Sequence, residues 1–230
     1  NQNTQIDAFI HQGVDLIVIT AVDEDGIAPA IERARAAGTI VIAVDTPAVG
    51  ADAVVMTDAV EAGEVACRYL FEQMGGEGNI LIVDGTPIQT IIDRITGCEN
   101  VMEEFPGIEV VGHQASKNDR ATGLTVTTDM LTATPDVQGI FGMNDPSALG
   151  AVLAVEQAGR ADDIIVVGID GSPEAVEELK RDGSPFVASA TQNPAEMVRQ
   201  AVAIAQQIVE GNPPAEKTIL IPSVIVTRDN

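Results

Sequence analysis

The amino-acid sequence predicts an α/β fold in which parallel, doubly wound sheets are divided between two lobes. Short continuous apolar runs alternate with amphipathic helical stretches along nearly the whole chain. Runs that are rich in β-branched residues and too short for helices are typical of parallel strands buried on both faces. Repeated strand–helix units form a doubly wound sheet, and 230 residues suit two lobes of about 100 to 150 residues each.

Nine apolar runs are predicted strands: 16–19, 40–44, 54–56, 80–83, 108–111, 137–141, 164–169, 186–190 and 219–221. Amphipathic helices lie between them, with apolar or small residues at steps of three and four, as from Val60 to Met74. Three helices are predicted to begin with a capping residue followed by proline, at Asp145-Pro146, Ser172-Pro173 and Asn193-Pro194.

The composition excludes several classes of function. Lys and Arg total 12 against 35 Asp and Glu, and the resulting formal net charge of -23 opposes binding to nucleic acid or to anionic lipid. No apolar run approaches the length of about 18 residues that a spanning helix needs.

Cys67 and Cys98 are the two cysteines, and without a C-x-x-C motif they do not indicate a zinc site. We expect them to be buried free thiols, with a disulfide as the alternative.

Polar residues follow several predicted strands, where ligands of open α/β sheets bind. These residues are Thr20, Asp45, Asn144, Asp170 and Gln192. We add Arg94, which lies in the helix after strand 80–83. Carboxylates, amides and a guanidinium together can satisfy sugar hydroxyls, which both donate and accept. Each residue taken singly could instead be a turn or cap residue, and Thr20 carries the weakest signal. The set indicates a site for a neutral polyol.

Catalytic signatures are absent from the sequence. It contains no G-x-S-x-G, H-E-x-x-H or C-x-x-C motif. An enzyme would need a nucleophile and a base within reach of each other, and the histidines are His11, near the terminus, and His113, at a predicted strand end. We therefore expect no enzyme activity, no metal and no cofactor.

Several segments resemble the periplasmic sugar-binding proteins of the ribose-binding type, the type I solute-binding proteins of ABC transporters. They are QGVDLIVITAVDEDGIAPAIERARAAGTIVIAVD, TDAVEAG, the Arg94-x-x-Gly97 pair, LTATPDVQGIFGMNDPSALGAVLAVEQAG, VVGIDGSPEAVEELK and ATQNP. The resemblance runs through nearly the whole chain.

This resemblance implies two Rossmann-like lobes joined by a three-strand hinge, with the ligand enclosed between them by hinge closure. Lobe 1 would comprise residues 1–57 and 193–221, and lobe 2 residues 58–192 and 222–230. The family's hydroxyl-binding groups match Asp45, Arg94, Asn144, Asp170 and Gln192. The family further implies a monomer that delivers a monosaccharide or polyol to an ABC transporter permease in the periplasm or at the cell surface.

Departures from the family affect the ligand and the N-terminal lobe. Thr46 stands where ribose binders carry arginine, and aromatic rings of those proteins are replaced by Asn118 and Ile169. We include Asn118 among the ligand-binding candidates. The family's first strand, helix and second strand have no counterpart, so we expect lobe 1 to be incomplete and strand 16–19 to face solvent or a substitute partner. The alternative function is the effector-binding core of a LacI-type repressor, which shares the fold.

Overall fold

Two units pack separately in the computed structural model, which describes residues 1–230. Unit 1 comprises Asn1–Asp58 and Asn193–Ile221, and unit 2 comprises Ala59–Gln192 and Pro222–Asn230. The chain passes between the units after residues 58, 192 and 221. The resemblance implies the corresponding boundaries after residues 57, 192 and 221.

Eight helices and ten strands make up the chain. The helices are α1 (Gln2–Gln12), α2 (Ala28–Ala36), α3 (Ala59–Gln73), α4 (Gln89–Met102), α5 (Arg120–Ala133), α6 (Asp145–Gln157), α7 (Pro173–Lys180) and α8 (Pro194–Val209). The strands are β1 (Leu16–Ile19), β2 (Ile40–Val44), β3 (Ala53–Thr57), β4 (Glu77–Asp84), β5 (Gly107–Ala115), β6 (Gly139–Gly142), β7 (Ile165–Asp170), β8 (Phe186–Thr191), β9 (Thr218–Ile221) and β10 (Ile225–Thr227). No helix is both long enough and apolar enough to cross a lipid bilayer.

Unit 1 contains a four-stranded parallel sheet in the order β1-β2-β3-β9. Strand β1 pairs with β2 alone and therefore forms an edge of this sheet. Helix α8 packs against β2 and β3 and brings Met197, Ala201 and Ile204 into the core. Helix α2 covers the opposite face, where Val41 and Ala43 of β2 join its core cluster. The continuous apolar pattern of β2 follows because the strand is buried on both faces.

Unit 2 contains a six-stranded sheet in the order β10-β8-β7-β6-β4-β5. Alternate residues of β4 point to opposite faces, so Ile80 and Ile82 join one core cluster while Leu81 and Val83 join another. Both faces of the sheet are thus covered by helices. The sheet confirms the predicted α/β class with parallel strands.

The predicted strands are all present, but the last strand, β10, was not predicted. It has three half-buried residues and pairs antiparallel with β8 at the edge of the sheet. So short a segment has too few residues to show a periodic pattern. Strands β4 and β5 also extend beyond their apolar runs, because polar residues at their ends continue the ladder from Glu77–Gly107 to Asp84–Ala115.

The prediction that Asp145 caps α6 is wrong by one residue. Asn144 is the N-cap and accepts a hydrogen bond from the backbone N–H of Ser147. Asp145 occupies the first helical position and is fully buried. The other two predicted caps are confirmed: Ser172 accepts from the N–H of Ala175, and Asn193 from that of Glu196.

The expectation of two free thiols is also wrong, since Cys67 and Cys98 form a disulfide between α3 and α4. The two helices approach closely at a pair of glycines. A Cβ added to Gly63 would lie 2.0 Å from the carbonyl oxygen of Arg94, and one added to Gly97 would lie 2.0 Å from that of Val60. This approach brings the Cα atoms of the cysteines to 5.2 Å, within the range for a disulfide.

Candidate functional site

Three of the predicted site residues meet in unit 2, although they lie far apart in sequence. The Arg94 guanidinium donates from one terminal nitrogen to Asp170 Oδ1 at 3.0 Å, and the Gln192 amide donates to the same oxygen at 2.8 Å. The other terminal nitrogen of Arg94 donates to the carbonyl oxygen of Met143 at 2.8 Å. We call Arg94, Asp170 and Gln192 the polar triad.

Arg94 is a buried charge whose position is set by helix packing. Only 4% of the residue is exposed, and a charge at such a place needs a partner because its desolvation is costly. Asp170 supplies that partner. The Nε atom of Arg94 is buried and has no hydrogen-bond partner, so the guanidinium retains an unused donor. The α3–α4 approach at Gly63 and Gly97 fixes the helix that carries Arg94.

Asp170 is held in an unusual backbone conformation at the end of β7. Its φ angle is 137°, a region that side-chain-bearing residues rarely adopt and that persists only where surrounding contacts enforce it. Its carbonyl oxygen accepts from the N–H of Gln192 at 2.9 Å. The backbone thereby directs the carboxylate of Asp170 to Arg94 and Gln192.

Asn118 and Asn144 lie at neighbouring turns of unit 2 and are joined by a hydrogen bond from the Asn144 amide to the backbone oxygen of Asn118, at 3.3 Å. Asn144 Oδ1 caps α6, and Asn118 Oδ1 accepts from the N–H of Thr86 at 2.8 Å. Both side chains therefore hold the local backbone. An amide nitrogen has two N–H donors, and Asn144 uses one of them on Asn118.

Asp45 and Thr20 are located in unit 1, at the carboxyl ends of β2 and β1. Asp45 has a φ angle of 68°, and its N–H donates to the carbonyl oxygen of Val55. Thr20 is exposed, and its carbonyl oxygen accepts from the Gln2 amide at 2.7 Å. The neighbouring Thr46 donates its hydroxyl to the carbonyl oxygen of Ala21, which ties the two strand ends together.

The three non-glycine residues with positive φ are Asp45, Asn118 and Asp170. All three are among the residues that the sequence predicts to bind a ligand. Backbone strain of this kind clusters at binding and active sites, where it aims a side chain. The sequence could not reveal the strain itself, because Asp and Asn are also common in ordinary turns.

Ile169 is fully buried in the core of unit 2. His113 lies on β5, exposed, with its Nε2 atom 3.0 Å from Asp84 Oδ2. No group of three or more His, Cys, Asp or Glu residues is placed to hold a metal ion. The polar triad consists of hydrogen-bond donors and acceptors.

Asp145 and Ser189 were missed by the sequence reasoning. The Asp145 carboxylate is fully buried and accepts from the Ser189 hydroxyl at 2.6 Å and from the N–H of Ser172 at 2.7 Å. Burial raises the pKa of the Asp145 carboxyl, against the opposite effect of these hydrogen bonds. The available signal was the acid Asp145 directly after Asn144, which we interpreted as a cap.

Comparison with known proteins gives one family. A protein-family model described as a periplasmic binding protein domain matches residues 1–213 of this chain. The ribose import binding protein of Bacillus subtilis (strain 168) is 31% identical over 230 residues, which cover 99% of this chain and 73% of that protein.

Two solved structures are similar over nearly the whole chain. An ABC transporter periplasmic solute binding protein from Actinobacillus succinogenes 130z, with bound D-allose, is 30% identical with a TM-score of 0.90; the match covers 99% of this chain and 82% of that one. An ABC transporter solute binding protein from Bacillus halodurans C-125, with bound myo-inositol, is 30% identical with a TM-score of 0.84; the match covers 100% and 80% of the two chains.

Proposed function

Because the chain belongs to the periplasmic binding protein domain family, we propose that it is the solute-binding component of an ABC transporter and binds a monosaccharide or related polyol. The relatives named above are solute-binding proteins, which favours this function over the effector-binding core of a LacI-type repressor. Binding without catalysis accords with a polar site that offers no activated nucleophile.

The observation that carries the proposal is the polar triad. Asp170 Oδ1 is shared by Arg94 and Gln192, and Oδ2 accepts one long hydrogen bond, from the N–H of Asp145 at 3.4 Å, so the carboxylate keeps acceptor capacity for a ligand hydroxyl. The negative charge of Asp170 is balanced by Arg94, so the triad as a whole favours a neutral ligand over an ion. A ligand hydroxyl can donate to the carboxylate and accept from the amide or the guanidinium. Sugars and polyols present several such hydroxyls.

We assign the remaining predicted residues to the same function. Asn118 and Asn144 would offer amide donors beside the triad. Asp45 and Thr20 would supply a further set of hydroxyl-binding groups on unit 1. Asp45 has the stronger case of the two, since its backbone is strained in the manner of a functional residue.

The ligand class follows from what the site residues lack. The chain has no Trp, one Tyr and five Phe, of which Phe71, Phe141 and Phe186 are fully buried in the core. The residue at the position of a stacking ring is Asn118. Recognition would then depend on hydrogen bonds, which discriminate by about 1 to 3 kcal/mol for each unpaired buried group. A hexose, an acyclic polyol or a cyclitol suits such a site better than ribose does. D-Allose and myo-inositol, which the two structural neighbours bind, are natural first probes.

We propose that the protein acts outside the cytoplasm as a monomer, without a cofactor and without nucleic acid as a partner. The disulfide between Cys67 and Cys98 supports an oxidising compartment. The net charge of -23 opposes nucleic-acid binding. The protein partner would be the permease of the transporter.

A thermal-shift screen tests the proposal. The protein is melted with D-allose, myo-inositol, D-ribose, xylitol and glycerol in turn, each at saturating concentration. A true ligand should raise the melting temperature by several degrees, because it binds the folded state alone. No shift with any hydroxylated compound in a broad library would contradict the proposal, and conversion of a sugar to products would indicate an enzyme instead.

A further inference from the structure

Asp170 is followed by a turn, Gly171-Ser172, that contributes two backbone N–H groups to buried acceptors. The N–H of Gly171 donates to the Ser189 hydroxyl oxygen at 3.0 Å. The N–H of Ser172 donates to Asp145 Oδ2 at 2.7 Å. Since the Ser189 hydroxyl in turn donates to Asp145 Oδ1 at 2.6 Å, both N–H groups depend on one carboxylate.

Space for this carboxylate is provided by a glycine in β7. A Cβ added to Gly168 would lie 2.6 Å from Asp145 Oδ1, a distance that real Cβ atoms essentially never show. Asp145 and Ser189 have no exposed surface. The buried charge is placed at the first position of α6, where the helix dipole favours an anion.

We infer that Asp145 is a positioning residue, which holds the Gly171-Ser172 turn directly at Ser172 and through Ser189 at Gly171. It thereby fixes the strained backbone that directs Asp170 to Arg94 and Gln192. This inference rests on the proposed function only for its effect on affinity. The effect on the turn belongs to the protein without ligand. No surface of Asp145 is left to contact a ligand directly.

The alternative is that Asp145 stabilises unit 2 as a whole without a particular effect on the turn. The two accounts differ in where the loss of Asp145 acts. A general stabiliser changes amide exchange throughout the unit. A positioning residue changes the exchange of Gly171 and Ser172 more than that of their neighbours.

The test measures backbone amide hydrogen exchange by NMR for the full chain without ligand. In Asp145→Ala the amides of Gly171 and Ser172 should exchange at least about tenfold faster than in the wild type, as expected for one lost hydrogen bond. In Ser189→Ala the amide of Gly171 alone should be accelerated. Asp145→Asn should restore protection of Ser172, because its carbonyl oxygen can accept the same N–H.

Ser184→Ala is the matched control. Ser184 is a buried serine two residues before β8, and its hydroxyl donates to Glu178. Its loss should leave both amides unchanged. If Asp145→Ala does not fold, Ser189→Ala tests the inference by itself. Unchanged exchange of Gly171 in folded Ser189→Ala, or of both amides in folded Asp145→Ala, would overturn it.

Affinity for D-allose, or for the strongest compound of the thermal-shift screen, is measured on the same variants by calorimetry. The dissociation constant should rise about tenfold or more in Asp145→Ala and recover in Asp145→Asn. Unchanged affinity in Asp145→Ala with accelerated exchange would overturn the link to Asp170. If the wild type binds no compound, the proposed function fails while the exchange result still decides the role of Asp145.

Discussion

Among single residues, Asp170 is central to the proposed site. Its carboxylate is the partner of a buried arginine and the acceptor for Gln192. About a quarter of the side chain is exposed, enough for a hydroxyl to reach it. The residue therefore has a structural and a proposed binding role, and substitution should affect both.

Replacing Asp170 by asparagine keeps the shape of the side chain but leaves the charge of Arg94 without its counter-charge. We expect the free energy of unfolding to fall by about 2 kcal/mol, somewhat less than for a fully buried pair, in urea denaturation followed by circular dichroism. Asp84→Asn is the control, since Asp84 pairs with an exposed histidine and such pairs contribute at most about 1 kcal/mol. Equal losses in the two variants would contradict the account of Arg94.

Asp145 should make stability depend on pH with a defined sign. Because burial holds the pKa of its carboxyl above the ordinary value, the folded chain binds this proton more tightly than the unfolded chain does. The contribution of this group to the free energy of unfolding is therefore present at low pH and falls as pH rises through the folded pKa.

The measurement is urea denaturation of the wild type and Asp145→Asn at pH values from about 4 to about 8, a range that begins near the ordinary aspartate pKa. The difference in free energy of unfolding, wild type minus variant, should decrease with rising pH and then level off. A difference that grows with pH would mean that the pKa is lowered instead.

Most of the candidate site residues were predicted from one feature, a polar residue directly after a predicted strand. Sequence reasoning selected Asp170 and Gln192 because the carboxyl ends of parallel strands share one edge of a sheet, and Arg94 because it is one of few basic residues near that edge, in the helix after a strand. The fold brings the three side chains together. Sequence reasoning misassigned Asp145 because a cap and a buried first-turn acid have the same local sequence. Distinguishing them requires knowing that Ser189 and the Ser172 N–H approach from other segments.

At the scale of elements, the contact between α3 and α4 holds the helix that carries Arg94. Gly63 and Gly97 permit the approach, and the Cys67–Cys98 disulfide links the same two helices. The sequence placed both cysteines on helices. It did not predict the bond, because helical periodicity gives the face of a residue and not its distance from another helix.

Removing the disulfide should destabilise the protein without changing its fold. The double variant Cys67→Ala/Cys98→Ala should lose about 3 kcal/mol of unfolding free energy, mainly because the unfolded chain gains freedom. The wild type unfolded in the presence of a reductant should show a similar loss. Thiol alkylation of denatured, unreduced wild type should modify no cysteine, and modification of both would contradict the bond.

Gly97→Ala tests the close approach directly. The added Cβ would meet the carbonyl oxygen of Val60 at 2.0 Å, so the helices must separate, and we expect a loss of about 3 kcal/mol or failure to fold. Gly159→Ala is the control: nothing lies within 4 Å of the added Cβ, but its φ of 68° is unfavourable for alanine, which should cost about 1 kcal/mol. A Gly97→Ala variant no less stable than the control would contradict this packing.

At the scale of the whole molecule, the alternation of apolar runs and helices sufficed to predict the class of fold and the strands of both sheets. The exception was β10, which owes its place to pairing with β8 rather than to a pattern of its own. Global patterns are repeated many times along the chain, whereas a bond or a three-residue strand occurs once. This difference explains why the fold was easier to predict than the details of the site.

For the molecule as a whole, we propose that the polar triad binds a neutral, hydroxylated ligand. Isothermal titration calorimetry of the wild type and Asp170→Ala with D-allose, or with the strongest hit of the thermal-shift screen, tests it most directly. We predict one ligand per chain for the wild type and a dissociation constant at least about a hundredfold higher for the variant, as expected for the loss of a charged hydrogen-bonding group. Equal affinity of a folded Asp170→Ala protein would contradict the claim.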